Sequence, residues 1–261
     1  MSEAQSLQAP NSNSETGQPY ELSDELQARV DMLDLNETVE HAKENGYGLI
    51  RNPSSLEFND RLREAILEVA DGRRSANLLL GKHPIFAEVV MNPKILAMAE
   101  VLCGKGPLLS QLTCSVRGKG ARALPLHADQ NWTPAPFPVH YQLATFCWAC
   151  DEFTKAGGAT MVIPGTDAHR RHPDPDEVAE HKGAIATACP AGSIVFWNGS
   201  VWHGNWPRTI EGERVVLHMT FGRMSLRQIE NYRFLDAAWL KDKPYAMRII
   251  LGREDGLSVS A

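Results

Sequence analysis

No run of 18 or more apolar residues occurs in this 261-residue chain, so the sequence offers no helix long enough to span a bilayer. No cluster of lysine or arginine stands out, and 26 basic side chains face 32 acidic ones, for a formal charge of −6. Nucleic-acid binding leaves a basic footprint, so that class of partner is set aside. The first twenty residues, MSEAQSLQAPNSNSETGQPY, lack the charged-then-apolar layout of a secretory leader. Their polar composition predicts a disordered lead over residues 1–20, and a cytoplasmic protein is the expectation. Cysteine is scarce and odd in number (Cys103, Cys114, Cys147, Cys150 and Cys189), which argues against a disulfide framework. Cys147 and Cys150 have the spacing of a redox or zinc pair. They lie in HYQLATFCWAC, which reads as a buried strand, and strand positions three apart point to opposite faces. No second cysteine pair completes a zinc set. No internal repeat is present.

What the chain does have is 43% hydrophobic residues, enough for one large core or two small ones. Helical periodicity dominates the first part. Helices are expected over 24–33, over 37–45 (begun by Asn36 and stopped by Gly46), in SSLEFNDRLREAILEVADG, and from Asn92–Pro93 to Leu102. A strand is expected at 47–52. From about residue 107 the period changes to that of strands, at 107–117, 124–129, 140–150, 159–163, 183–188, 193–197 and 214–222, with a short helical or loop piece near 175–181 and a last helix over roughly 228–240. Helices followed by many short strands predict a mainly-β fold with flanking helices, best built as a small barrel or two-sheet jelly roll. The expected domain is single and covers 21–261: a helical part to about 106, a jelly-roll core over about 107–222, and the C-terminal helix.

The stretch PLHADQNW carries His127 and Asp129 two positions apart. On a strand, i and i+2 face the same side, so both groups would aim into one space. Two histidines and one carboxylate with open positions is the ligand pattern of non-haem Fe(II) oxygenases. A surface histidine beside a loop aspartate is the alternative. His203, in the aromatic-rich turn VWHGNWPR just past an apolar strand, is the candidate third ligand. His41, His83, His140, His169, His172 and His181 stand in polar or turn contexts. Eleven residues after His203 comes Arg214, which opens the alternating strand RVVLHMTF. Arg214, Val216, His218 and Thr220 share its barrel-facing side, while Val215, Leu217, Met219 and Phe221 face the helices. A buried arginine needs an anionic partner, either a bound carboxylate held by the planar guanidinium fork or a salt bridge to Glu213 or another acid. Trp132, Phe137, Trp202 and Trp206 are candidates to line a largely apolar substrate pocket.

Four segments, LPLHADQ, GGATMVIPGTDAH, GSIVFWNGS and VWHGNWPRTIEGER, together resemble the phytanoyl-CoA dioxygenase family of Fe(II)/2-oxoglutarate-dependent oxygenases, over residues 125–222. The resemblance implies a double-stranded β-helix, with His127, Asp129 and His203 on Fe(II) and Arg214 on the distal carboxylate of 2-oxoglutarate. It places Asn205 where the family often has a small hydroxyl residue that helps hold that carboxylate, and Thr160 beside the cosubstrate. It implies O₂ as the second cosubstrate and a small-molecule substrate, most simply hydroxylated at a C–H bond. Asp129 separates the chain from related halogenases, which lack this carboxylate. The sequence does not fix the oligomeric state. Two other readings share the ligands: a cupin-type metalloenzyme that uses no oxo acid, and a metal-binding module without turnover.

Overall fold

A computed structural model describes residues 20–254, apart from Asn131. Of the expected lead, only Tyr20 is among them, and its hydroxyl donates to the Ala42 carbonyl at 3.0 Å. The first half runs α1 (Asp24–Met32), α2 (Asn36–Asn45), β1 (Tyr47–Ile50), α3 (Leu56–Ala70), β2 (Ser75–Ala76), α4 (Pro84–Val90) and α5 (Pro93–Cys103). The strands then follow: β3 (Leu108–Gly118), β4 (Leu124–His127), β5 (Leu143–Ala149) and β6 (Thr160–Val162). After α6 (Pro175–Glu180) come β7 (Ile185–Ala186), β8 (Ser193–Asn198), β9 (His203–Asn205) and β10 (Glu213–Gly222), and then α7 (Ala237–Leu240) and α8 (Tyr245–Ile250).

The local signals explain most of these limits. Ser55 caps α3 through its hydroxyl, and Asn92 caps α5 with Pro93 at the first helical position. Gly46, at φ +77°, ends α2 in the left-handed conformation that glycine adopts without a Cβ penalty. The strands form two antiparallel sheets, one of six strands in the order β1-β8-β5-β10-β3-β2 and one of four in the order β4-β9-β6-β7. They face each other as a double-stranded β-helix.

The alternation read in β10 is the alternation found. Val215, Leu217, Met219 and Phe221 join Phe146, Trp148, Leu62, Ile66 and Met98 in the core between the large sheet and the helices. Trp148 donates its indole N–H to Asn59 of α3, whose amide donates in turn to the Cys150 carbonyl. Cys150 lies on this helix side and Cys147 in the barrel interior, so the two sulfurs do face opposite ways. All five cysteines are buried and free.

His83 lies in the bend before Pro84, as its turn context suggested, and caps α4 with its Nδ1 accepting from the Ile85 N–H. Three local expectations are corrected. The strand expected to run to residue 129 ends at His127, leaving Asp129 beyond it. His203 is in a strand, β9, rather than in a turn. The single helix expected over 228–240 is instead a 3₁₀ turn at Tyr232–Phe234 followed by α7 and α8. The buried Glu230 carboxylate causes this break. It accepts from the backbone N–H groups of Leu78 and Leu112 and from the Tyr232 hydroxyl, tying the segment to β3 where a helix would have lifted it away.

Candidate metal centre

The site is made where the ends of two short strands meet. His127 and His203 are direct partners across the β4–β9 pair, with ring centroids 4.3 Å apart. Gly204 permits this approach, because a Cβ there would overlap the Leu124 carbonyl oxygen. Each histidine is oriented by its own backbone. His127 Nδ1 lies 2.9 Å from the Pro125 carbonyl oxygen and His203 Nδ1 3.1 Å from that of Val201. A carbonyl only accepts, so Nδ1 carries a proton in both rings and Nε2 is the ring atom left to face a metal. The two Nε2 atoms converge on Asp129 Oδ1, at 3.7 Å from His127 and 3.4 Å from His203. Its other oxygen, Oδ2, accepts from the Thr145 hydroxyl and the Trp197 indole N–H, at 2.9 and 3.0 Å.

Among the described residues these three are the one group of three or more His, Cys, Asp or Glu side chains able to share a metal ion, with ligand atoms all within 4.8 Å of one another. The donor set of two imidazole nitrogens and one carboxylate oxygen suits a first-row divalent metal, and three protein ligands leave positions open. Burial pushes the His127 pKa down, helped by the neighbouring His203. Burial alone would raise the Asp129 carboxyl, but the His203 imidazole and the hydroxyl of Thr145 win and hold it well below the usual carboxylate range. Both shifts favour the deprotonated forms that bind metal.

The triad opens on a cavity of about 330 Å³. Thr160 and Asn205, opposite each other on β6 and β9, both line it. So do Gln111, Thr113 and Ser115 from the inner face of β3, and His218 and Thr220 from β10. Among the described residues no lysine, arginine or glutamate lines it. The aromatic residues expected there lie elsewhere. Phe137 and Trp202 are buried with Leu126, Ala128 and Met161 on the outer side of the small sheet, and Trp206 packs against that cluster. Trp132 is 71% exposed and does not line the cavity either. Inward and outward positions alternate on β4 and β6, so the residues that carry apolar bulk are on the opposite face from the ligands.

Arg214 is 1% exposed and lies on the inner face of β10, beyond Val216 and His218, outside the cavity's immediate lining. One Nη donates to the Gly158 carbonyl, the guanidinium sits 5.1 Å from the centre of the Phe153 ring, and Nε has no hydrogen-bond partner. Neither Glu213 nor any other acid forms a salt bridge with it among the described residues. Its direct partner across the β3–β10 pair is a second arginine, Arg117. Burial and that neighbouring charge lower the Arg214 pKa to about 10. His218, between Arg214 and the triad, is hydrogen-bonded to Ser115 and Cys147, and burial together with Arg214 pushes its pKa down to about 3.

The family model described as phytanoyl-CoA dioxygenase (PhyH) matches residues 36–214. The chain belongs to the phytanoyl-CoA dioxygenase family. Among curated members of related sequence, dioxygenase af480 of Aspergillus fumigatus is 28% identical over 148 residues, 56% of this chain and 47% of that protein. Uncharacterized protein Rv1501 of Mycobacterium tuberculosis is 31% identical over 106 residues, 40% of this chain and 38% of that one. The phytanoyl-CoA dioxygenase family chain described here thus spans about half, or less, of the length of these relatives. Among solved structures, HygX from Streptomyces hygroscopicus with iron bound aligns at a TM-score of 0.64 and 14% identity, over 78% of this chain and 93% of that one. EctD from S. alaskensis in its apoform aligns at 0.64 and 18%, over 75% and 79%. Both are likenesses of fold. No helix among the described residues is long and apolar enough to cross a membrane.

Two side chains at the site, Thr145 and Trp197, carry no sequence signal that would have singled them out. They read as ordinary members of buried strands, and only sheet register brings them to Asp129.

Proposed function

We propose that this phytanoyl-CoA dioxygenase family member is a non-haem Fe(II)/2-oxoglutarate-dependent oxygenase, with one oxygenase domain, that hydroxylates a C–H bond of a small organic molecule. His127, Asp129 and His203 hold Fe(II) through Nε2, Oδ1 and Nε2. Bound there, the metal and 2-oxoglutarate supply O₂ activation coupled to decarboxylation of the oxo acid to succinate and CO₂. The protein's part is to fix the three ligand atoms, favour the neutral form of His127 and leave one face of the site open to the cavity.

The observation that carries the cosubstrate assignment is Arg214. A guanidinium this buried, beside a second arginine and with no acid in salt-bridge contact (Asp151 acts on it only at longer range), leaves room for an anion to meet its desolvation. A carboxylate answers that need, and Thr160 and Asn205 add a hydroxyl and an amide to the wall on the way. This favours an oxo-acid-dependent enzyme over a cupin-type metalloenzyme, in which Arg214 has no role, and over a metal-binding module. The hydroxyl- and amide-rich wall also shifts the substrate expectation. Uncharged hydrogen-bonding groups suit it better than the largely apolar molecule suggested by Trp132, Phe137 and Trp202.

The test is incubation with Fe(II), ascorbate and 2-oxoglutarate, with succinate as the readout. Slow uncoupled turnover is expected, together with a rise in thermal midpoint on adding 2-oxoglutarate in the presence of metal. If 2-oxoglutarate neither binds nor shifts the midpoint, this function is wrong. Arg214→Ala is expected to weaken 2-oxoglutarate binding while metal binding stays nearly intact. Equal loss of both would mark a structural arginine.

A further inference from the structure

We infer that Thr145 and Trp197 are positioning residues that hold Asp129 to coordination through one oxygen, keeping a metal site free that the carboxylate would otherwise take. This rests on the assignment of His127, Asp129 and His203 as metal ligands. Asp129 stands past the end of β4, so strand pairing does not fix it. A carboxylate left to itself has two equivalent oxygens and can bind a metal with either or both. Here the two are made different. Oδ1 faces both Nε2 atoms, while Oδ2 takes two hydrogen bonds.

The donors are unambiguous. An indole nitrogen only donates. The single Thr145 hydroxyl proton goes to Asp129, so Thr220, 3.2 Å away, is the donor in its own contact with Thr145. The result is a directed chain, Thr220 to Thr145 to Asp129, with Trp197 as a second donor to the same oxygen. With both acceptor directions of Oδ2 engaged, a second metal bond would cost one of these hydrogen bonds.

The large sheet supplies the platform. Thr220, Thr145 and Trp197 are consecutive cross-strand partners on β10, β5 and β8. One rank of the large sheet therefore reaches across the barrel to a ligand carried by the small one. Trp197 also packs its ring 4.4 Å from that of His203, so it braces a second ligand. Outer partners of this kind orient ligands, and their loss typically costs roughly 10–100-fold in metal affinity or activity.

Trp197→Phe keeps the ring against His203 and removes only the N–H. Thr145→Val keeps the shape and removes the hydroxyl, and Thr145→Ser restores it. Fe(II) affinity is measured anaerobically, together with the visible charge-transfer absorption that forms when 2-oxoglutarate chelates the bound metal. Trp197→Phe and Thr145→Val should each weaken Fe(II) binding by about tenfold or more and diminish or shift the absorption, with Thr145→Ser close to the unaltered protein. Where Trp197→Phe does not fold, the threonine pair carries the test. Unaltered affinity and absorption in Thr145→Val would overturn the inference, as would equal loss in Thr145→Ser, which would mark packing rather than the hydroxyl. If the unaltered protein binds no Fe(II), the metal assignment itself falls, and this inference with it. If it binds Fe(II) and the variants match it, only the positioning role falls.

Discussion

The two sheets of the barrel divide the work unequally. The large sheet has strands of up to eleven residues, and its outer face is sealed by helices α3 and α5. The small sheet is built from strands of two to four residues, yet it carries both histidines and leads directly into Asp129. A short strand contributes few ladder hydrogen bonds, so its own pairing is a weak means of holding ligand atoms in place. The site compensates with bonds of other kinds: each histidine to its own backbone carbonyl, and Asp129 to the large sheet. The long sheet borders the helix-packed core and the short one carries the candidate histidine ligands, with the Thr145–Trp197 rank linking them.

If that division is right, perturbations on the two sheets should have separable consequences. The largest effect is expected for His203→Ala, which should abolish stoichiometric iron binding while the chain stays folded. Metal analysis alongside circular dichroism would show it, and full iron occupancy in a folded variant would end the ligand assignment. Next is Trp148→Ala on the helix side of the large sheet. It should cost about 3–5 kcal/mol in urea denaturation, with iron binding retained in the fraction that remains folded. Loss of iron without loss of stability would reverse the roles given to the two sheets.

A smaller effect comes from His218, which lies between the sheets' two functions. The unfolded side chain titrates near pH 6.5, whereas in the fold burial and Arg214 keep it neutral down to about 3. Between those values the unfolded chain binds the extra proton. This contribution is therefore fully present above about pH 6.5 and is lost as the pH falls towards about 3. His218→Gln should flatten that part of the stability curve, and an unchanged acid slope would mean that other groups set it. The smallest effect is expected at Trp132, where exposure leaves little to lose. Trp132→Ala should change stability by no more than about 0.5 kcal/mol, and a larger change in the denaturation midpoint would show that this loop is packed more tightly than its exposure indicates.

Much of this was legible residue by residue. The alternation of β10 separated Arg214, His218 and Thr220 from the helix-facing positions because period two depends only on backbone geometry. The candidate metal ligands stood out because H-x-D, a later histidine and an arginine eleven positions on form a set of chemical types. Two of the small elements were hidden. The three residues of β9 and the two of β2 are too short to display any period. The C-terminal helix failed as an expectation because the buried Glu230 overrode local preference through contacts with residues far away in sequence, Leu78 and Leu112. The aromatic residues misled because hydrophobic bulk marks burial without saying which face of a sheet is buried. Phe137 and Trp202 fill the outer side of the small sheet, and the cavity is lined mostly by threonine, serine, asparagine and glutamine, with Trp197 and Leu124 among them.

By itself, then, the sequence determined the types of group available for metal and carboxylate binding, their order, and the alternation that turns them inward, because these depend on side-chain chemistry and on one strand's geometry. The tertiary structure decided which oxygen of Asp129 faces the histidines, which side chains line the cavity, and that Arg214 is buried with no salt bridge among the described residues. Those outcomes depend on register between strands distant in the chain, and register is fixed only when both sheets have closed around the core.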